Sequence, residues 1–462
     1  MTKQAHTTSW IPALKGREGP LYVTIADAIA EDVAGGRLKP GTRLPAQRAL
    51  ADVLDIDFTT VTRAYTEARR RGLVEGRVGH GTYVRWKHKP APTPATGWRI
   101  DASMNLPPRF ENRALEGRME AGIGSVAAEG LNLFLTYQDP AGAASDRQAG
   151  ATWLAPRLPD LSPDRVVVCP GSQGALVAAL TLLAQKGDTI CAESLTYPGL
   201  RALASHIGIH VLPLAMDGEG LLPESFEIAC KSHKPKALYC TPTFHNPTTA
   251  TIPLARRKRI AEIARRHGVF IIEDDAYGAL PRTPVVPLAA IAPERVCYIG
   301  GLSKCLSPVL RVAYLVLPEP RVAVRAAAAI RSFAGMTSPL TAAIATRWIE
   351  DGTADAVLSA IRAETAQRTQ VVTRLLPAAV TKPDCFHAWL VLPDGWTAAT
   401  LAGRARLEGV GLVTADAFAL GKTPEAVRIG LGSPRTVSDL THGLEIVTDL
   451  LCDSPGASSN IV

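Results

Sequence analysis

The sequence predicts a multidomain chain. A small module of helices closed by a β-hairpin is followed by a larger α/β unit built on a mostly parallel sheet. Three observations predict this. At 462 residues the chain exceeds one ordinary domain and suits two or three. Three helical stripes and a glycine-split pair of β-prone runs fill the first 86 residues. From about residue 165, seven short apolar runs alternate with helical stretches, the pattern of a sheet with helices on both faces. Between them lies KHKPAPTPATGWR, rich in Pro, Ala and Thr and without apolar periodicity, which reads as an extended spacer. The expected domains are 1–86, a linker at 87–100, and 101–462, with a smaller C-terminal part at about 351–462.

In the N-terminal module, Leu21, Ile25, Ile29 and Val33 recur every four residues, and Gly35-Gly36 ends that helix. Pro40-Gly41 makes a turn. Pro45 suits the first turn of a second helix with Leu50, Val53 and Leu54 inward. Asp57 or Thr59 can cap a third helix with Val61, Ala64, Tyr65 and Ala68 inward, stopped by Gly72. Leu73-Val74 and Thr82-Tyr83-Val84 flank a glycine turn at Gly79–Gly81, a two-stranded hairpin. Three helices and a hairpin outline a winged helix-turn-helix. Charge agrees with it. Residues 1–90 hold 15 Lys and Arg against 9 Asp and Glu, whereas the remaining 372 hold 35 against 34. A basic excess confined to one module is an electrostatic footprint for nucleic acid.

The module resembles the DNA-binding domain of the GntR family of bacterial regulators. The resemblance rests on Gly41-Thr42-Arg43-Leu44-Pro45, Arg48, Leu50-Ala51, Thr60–Tyr65, Gly72-Leu73-Val74 and Gly79–Val84. It implies Arg43, Arg48, Thr60, Thr62, Arg63 and Gly81 as DNA contacts, with His80 and Gly81 at the tip of the wing. The arginines 69–71 are equally explained as cations at a helix C-terminus.

In the α/β part the strand-like runs are Val166–Cys169, Thr189–Ala192, His210–Leu214, Ala237–Thr241, Val269–Ile272, Val296–Ile299 and Val312–Leu317. Ligands of such sheets bind beyond the carboxyl ends of the strands. No GxGxxG comes after the first run, so a dinucleotide has no support. In that position stands Pro170-Gly171-Ser172-Gln173-Gly174, a glycine turn opening a helix, whose free N–H groups can cradle a phosphate. Tyr197-Pro198-Gly199 comes after the second run and Asn246-Pro247 after the fourth. Glu273-Asp274-Asp275 and Tyr277 come after the fifth, three adjacent carboxylates that repel one another unless a cation compensates. The sixth leads into YIGGLSKCLSPVLR, where Lys304 sits among small residues and Arg311 lies seven positions on. A desolvated lysine attacks aldehydes, and a nearby arginine holds a phosphate.

This order of glycine turn, aromatic, Asn-Pro, Asp-x-x-Tyr, Ser-Lys and Arg resembles the fold type I aminotransferases, which carry pyridoxal 5′-phosphate. The resemblance implies a Schiff base at Lys304 and pairing of Asp274 with the pyridine nitrogen. It gives Asn246 and Tyr277 to the ring hydroxyl, and Tyr197 to stacking on the ring. Gly171, Ser172, Gln173, Ser303 and Arg311 would hold the phosphate, and Tyr137 in LTYQDPAG the phosphate of a neighbouring subunit. Arg428, alternating with apolar residues in Ala426–Leu431, falls where these enzymes bind a substrate carboxylate. The bland alternative is an edge-strand arginine facing water. Three positions depart from the family pattern: Gly301 replaces a phosphate-binding Ser or Thr, and Thr249 and Ala313 replace glycines.

Joined, the two resemblances identify the chain as similar to the MocR subfamily of GntR-type regulators. That implies a homodimeric, DNA-binding transcription factor whose effector, an amine or amino acid, reacts at the Lys304 Schiff base and alters operator binding. A working aminotransferase with an accessory DNA-binding domain is the alternative, and a receptor for pyridoxal phosphate itself a third. The eight cysteines include no CxxC pair and read as buried free thiols, so no metal site is expected. No apolar run reaches the length of a membrane span, no signal-peptide core opens the chain, and a cytoplasmic location is expected. The tail from Cys452 reads as disordered.

Overall fold

The computed structural model describes residues 10–14, 19–39, 41–77, 81–84, 99–130 and 135–453. The expected linker falls almost wholly outside these residues, as do Gly79 and His80 of the wing tip and the tail beyond 453. The chain forms two compact units, Met1–Ala95 and Thr96–Val462.

The first unit contains helices α1 (Leu21–Ala34), α2 (Gln47–Leu54) and α3 (Phe58–Arg70), then strands β1 (Val74–Arg77) and β2 (Gly81–Val84) paired antiparallel. Ile25, Ile29, Leu50, Ala51, Val61, Ala64, Tyr65, Val74 and Val84 form its core. Two expected inner positions face out: Val53 is 59% exposed and Leu21 39%. Helix α2 is only eight residues long and turns Leu50 and Ala51 inward, which carries Val53 to its other side. Pro45 precedes that helix rather than sitting in its first turn, and its carbonyl accepts the Tyr65 hydroxyl at 3.0 Å. Asp57, not Thr59, caps α3 by accepting the Thr59 N–H at 2.7 Å.

The second unit opens with β3 (Ile100–Asp101) and centres on a seven-stranded sheet. Its strands are β4 (Val166–Cys169), β5 (Thr189–Glu193), β6 (His210–Leu214), β9 (Ala237–Cys240), β10 (Phe270–Asp274), β11 (Val296–Gly301) and β12 (Ala313–Val316), with the small hairpin β7 (Met216–Asp217) and β8 (Gly220–Leu221) between β6 and β9. The order is β4-β12-β11-β10-β9-β5-β6, and only β12 runs antiparallel to its neighbours. Alternate residues enter two separate cores: Val166, Val168, Leu238 and Ile271 one, Val167, Cys169, Tyr239 and Ile272 the other. A sheet covered on both faces explains why its strands read as unbroken apolar runs. A C-terminal part carries β13 (His387–Val391), β14 (Val410–Gly411), β15 (Val413–Thr414) and β16 (Ala426–Gly430), with β13-β16-β15 as one sheet and β14 paired with β3.

Seven of the eight cysteines are buried free thiols. Among the described residues no His, Cys, Asp and Glu group could hold a metal, and no helix is long and apolar enough to cross a membrane.

Candidate functional site

The carboxyl ends of β4, β5, β9, β10 and β11 deliver the expected residues to one edge of the large sheet. Lys304 lies just beyond β11. Its amine donates to the main-chain carbonyl of Asn105. Burial, with Arg428 and Arg311 nearby, pushes it down to about 8 against the opposing pull of Asp274. That leaves a usable fraction of free amine near neutrality.

Asp274 ends β10. Its Oδ2 accepts the Tyr239 hydroxyl at 2.8 Å, while Oδ1 is buried without a partner. Burial raises its carboxyl to about 6. The expected repulsion among three carboxylates is resolved without a shared cation, because they part company. Glu273 accepts the N–H groups of Leu288 and Ala289 at 2.9 and 2.8 Å and lies 3.6 Å from Arg257. Asp275 accepts the Tyr298 hydroxyl at 2.7 Å. Alternation along a strand sends neighbours to opposite faces; Oδ1 of both Asp274 and Asp275 is buried and unpartnered, and it is Asp274 that acts on Lys304.

At the helix Gly171–Leu183, Gly171 has φ +76°, and a Cβ there would lie 2.9 Å from Arg311 Cζ. Glycine is required for the guanidinium to lie against the helix start, where N–H groups are also free. The departure at Gly301 has a direct explanation. A Cβ at that position would lie 2.2 Å from Ser172 Oγ, so the Ser172 hydroxyl takes the space a residue-301 side chain would fill. Gln173 Nε2 donates to the Tyr197 hydroxyl at 3.2 Å, and the Tyr197 ring covers Gly199 so closely that a Cβ there would lie 2.3 Å from it. Ser303 is half-buried beside Lys304. Thr249, the second departure, holds φ +64° with a buried, unpartnered hydroxyl, an uncommon conformation for a β-branched residue. Ala313, the third, is fully buried opposite Gly301.

Arg428 is not an edge-strand arginine. It lies on β16, the middle strand of its sheet, and is 7% exposed. It donates to Asn246 Oδ1 at 3.0 Å and to the carbonyl of Ser103, and stacks 5.2 Å over the Phe418 ring. Its Nε is buried and unpartnered. Tyr137 is elsewhere, 92% exposed on the surface of its own chain.

Five residues of the site carry no signal in the sequence: Asn105, Tyr239, His387, Glu193 and His245. Tyr239 is hidden inside an apolar strand, and Asn105 in a loop without periodicity. Glu193 is fully buried, accepts the Thr241 N–H, lies 3.8 Å from His245 Nε2, and is raised by burial to about 8.

In the first unit, Arg43, Arg48 and Arg63 are exposed or half-exposed. Arg63 stacks 4.2 Å over Tyr22, and Arg48 lies 5.7 Å over Phe58. Gly81 has φ +110°, and a Cβ there would lie 3.0 Å from Arg43 Nε. Thr60 is half-buried, and the Thr62 hydroxyl lies 3.0 Å from both Gln47 Oε1 and the Phe58 carbonyl. Arg70 and Arg71 pair with Glu67, and Arg71 also with Asp27, which assigns them to local structure.

The fold and site define a fold type I aminotransferase-like unit in a chain that also carries a helix-turn-helix reader. Residues 110–446 match the aminotransferase class I and II family, and residues 21–84 the gntR family of bacterial regulatory proteins. The uncharacterized HTH-type transcriptional regulator YdeF of Bacillus subtilis strain 168 is 31% identical over 461 residues, covering 96% of this chain and 97% of that protein. The HTH-type transcriptional regulator TauR of Rhodobacter capsulatus is 27% identical, covering 86% and 89%. Among solved structures, kynurenine aminotransferase of Pyrococcus horikoshii superposes with TM-score 0.71 at 23% identity, covering 78% of this chain and 91% of that one. The chain belongs to the GntR-type transcriptional regulators of the MocR kind, with an aminotransferase-like domain.

Pyridoxal 5′-phosphate is the cofactor of the aminotransferase-like fold. The residues present fit it. The unpartnered Asp274 Oδ1 is an acceptor for a pyridinium N–H, Lys304 is an amine for an aldehyde, and the Gly171–Arg311 cradle offers a cation and free N–H groups to a phosphate.

Proposed function

We propose that this regulator responds to an amino acid bound between Lys304 and Arg428, and that occupancy of that site changes operator binding by a homodimer. One observation carries the reading. The Lys304 amine and the Arg428 guanidinium bond to carbonyls of the same segment, those of Asn105 and Ser103. Two residues of chain span at most about 7 Å. An amine-reactive centre and a carboxylate-binding cation thus face one short segment, near enough for Arg428 to help depress the Lys304 amine.

The cofactor supplies an aldehyde that bonds reversibly to primary amines. The chain supplies the rest. Asp274 balances charge at the ring nitrogen, Asn246 and Tyr277 offer hydrogen bonds at the ring oxygen, and Tyr197 covers the ring. Gly171, Ser172, Gln173, Ser303 and Arg311 hold the phosphate. Arg428, with its unpartnered Nε, takes the effector's carboxylate. The exposure of Tyr137 and of Leu135, at 92% and 81%, supports a second copy covering this surface. DNA is read by Arg43, Arg48, Thr60, Thr62, Arg63 and Gly81, and two copies would read paired half-sites. A ligand that binds two conformations unequally shifts the balance between them.

The test uses the full chain, its own promoter DNA and a panel of α- and ω-amino acids. Lys304→Ala should lose the visible absorbance of the bound cofactor and any effector response. Arg428→Ala should keep the absorbance and lose the response. Arg63→Ala should weaken DNA binding about ten-fold or more. An unaltered response in Arg428→Ala would overturn the carboxylate assignment. A second reading, transamination, is favoured by the lowered Lys304 amine beside Asp274. Sustained keto-acid-dependent turnover would establish it.

A further inference from the structure

Asn105 lies in the loop after β3 and is 6% exposed. It touches residues from three separate elements. Its carbonyl accepts from the Lys304 amine, just beyond β11. Its amide Nδ2 donates to the hydroxyl oxygen of Tyr277, just beyond β10, at 2.9 Å, and lies 3.2 Å from Nδ1 of His387 on β13.

The protons can be assigned. His387 Nε2 lies 3.1 Å from the carbonyl of His245, which only accepts. Nε2 therefore carries the hydrogen and Nδ1 presents a lone pair. Burial and the nearby Arg428 push His387 down to about 3, so the ring stays neutral and this tautomer holds. Cys385 Sγ sits 3.3 Å from the same Nδ1 and is a weak donor at most. The two amide hydrogens of Asn105 are then both committed, one to His387 and one to Tyr277. Because the phenol oxygen accepts from Asn105, the phenol's own hydrogen points elsewhere. It has no acceptor among the described residues.

We infer that Asn105 is a positioning residue of this site: its amide fixes Tyr277 as a donor toward the bound ligand, and its carbonyl aims the Lys304 amine. The inference rests on the reading that the cofactor is held at Lys304. A donor aimed at the cofactor's ring oxygen withdraws negative charge that would otherwise stabilise a proton on the Lys304–cofactor linkage. Loss of the Asn105 amide frees the phenol to turn, and that proton is then held more tightly. Asp274, Arg428 and Arg311 also bear on Lys304 and are unchanged in every variant tested.

The experiment is a pH titration of the visible absorbance of the full-length protein with pyridoxal 5′-phosphate. It compares the parent, Asn105→Ala, Asn105→Leu, Tyr277→Phe and the Asn105→Ala/Tyr277→Phe pair. Asn105→Leu keeps the shape and adds no charge but offers the phenol no hydrogen, and it serves if the alanine variant folds poorly. Asn105→Ala should raise the midpoint by about one unit, a ten-fold change in proton affinity. Added to Tyr277→Phe it should raise it no further, since a shared effect is not additive. A midpoint unmoved in both single Asn105 variants would overturn the inference alone. So would a full Asn105→Ala shift in the Tyr277→Phe background. A parent protein without a visible band would overturn both the inference and the Lys304 reading.

Discussion

At the residue scale, the site is made by single atoms left without partners or by space left for a neighbour. Asp274 Oδ1 and Arg428 Nε are buried and unpartnered, an arrangement that costs free energy unless a ligand completes it. Gly301 shows how a departure from a family pattern can be made good elsewhere, because Ser172 reaches the same space from another strand end. Ser172→Ala should weaken cofactor binding about ten-fold, near the lower value of one charge-assisted hydrogen bond, as measured by equilibrium titration of the apo-protein. Gly301→Ser should also weaken it, by forcing Ser172 aside. The pair Ser172→Ala/Gly301→Ser should recover most of the loss, and failure to recover would show that the two positions do not share one space. Lys304, Asp274 and Arg311 are legible from sequence because each lies at or beyond the end of a strand-like run, in a motif. The compensation at Ser172 is not, since 129 positions separate it from Gly301.

At the element scale, strands are legible where burial on both faces makes the runs unbroken. Their ends shift by one or two residues: the expected run Val269–Ile272 is Phe270–Asp274, and Val296–Ile299 extends to Gly301. Helix α2 is harder to read. An eight-residue helix offers only two turns of periodicity, too few to place Val53 on its correct, outer side. The wing depends on one backbone position. Gly81 combines φ +110° with close approach to Arg43, so an added methyl group both strains the strand and displaces the arginine. Gly81→Ala should therefore reduce DNA affinity about five- to ten-fold in a mobility-shift titration while leaving the cofactor absorbance unchanged. Full-strength DNA binding would remove Arg43 and the wing from the proposed interface.

At the scale of the whole molecule, buried ionisable groups tie stability to pH. Glu193 is held up to about 8 by burial, against an ordinary carboxylate near 4.5. Between those values the folded chain keeps a proton that the unfolded chain has released. Stability from this group is thus present at low pH and lost as pH rises toward 8. His245, lowered to about 4, and His387, lowered to about 3, act in the opposite sense, but only below about 6.5. Above that value the carboxyl groups dominate, and the melting temperature of the apo-protein should fall from pH 6.5 to 8. Glu193→Gln should flatten that fall between about 7 and 8, and an unchanged slope would show that Glu193 is ionised in the folded chain. None of this is readable in the sequence, where Glu193 is one acidic residue at the end of an apolar run. Its burial comes from sheet order, which places β5 between β6 and β9.

The short strand β3 has a mechanical consequence. Arg99 and Ile100 both donate to the Gly409 carbonyl at 2.9 Å, Ala102 donates to Gly411 at 3.1 Å, and Gly430 donates back to Ala102 at 2.7 Å. The first strand of the second unit is thus stitched to the C-terminal part, through β14 and through β16, the strand that carries Arg428. The large sheet that carries Lys304 does not share this seam. A displacement of β16 by an anion at Arg428 would be felt directly at β3, whereas chemistry at Lys304 reaches β3 through its bond to the Asn105 carbonyl and through the Asn246–Arg428 and His245–His387 bonds.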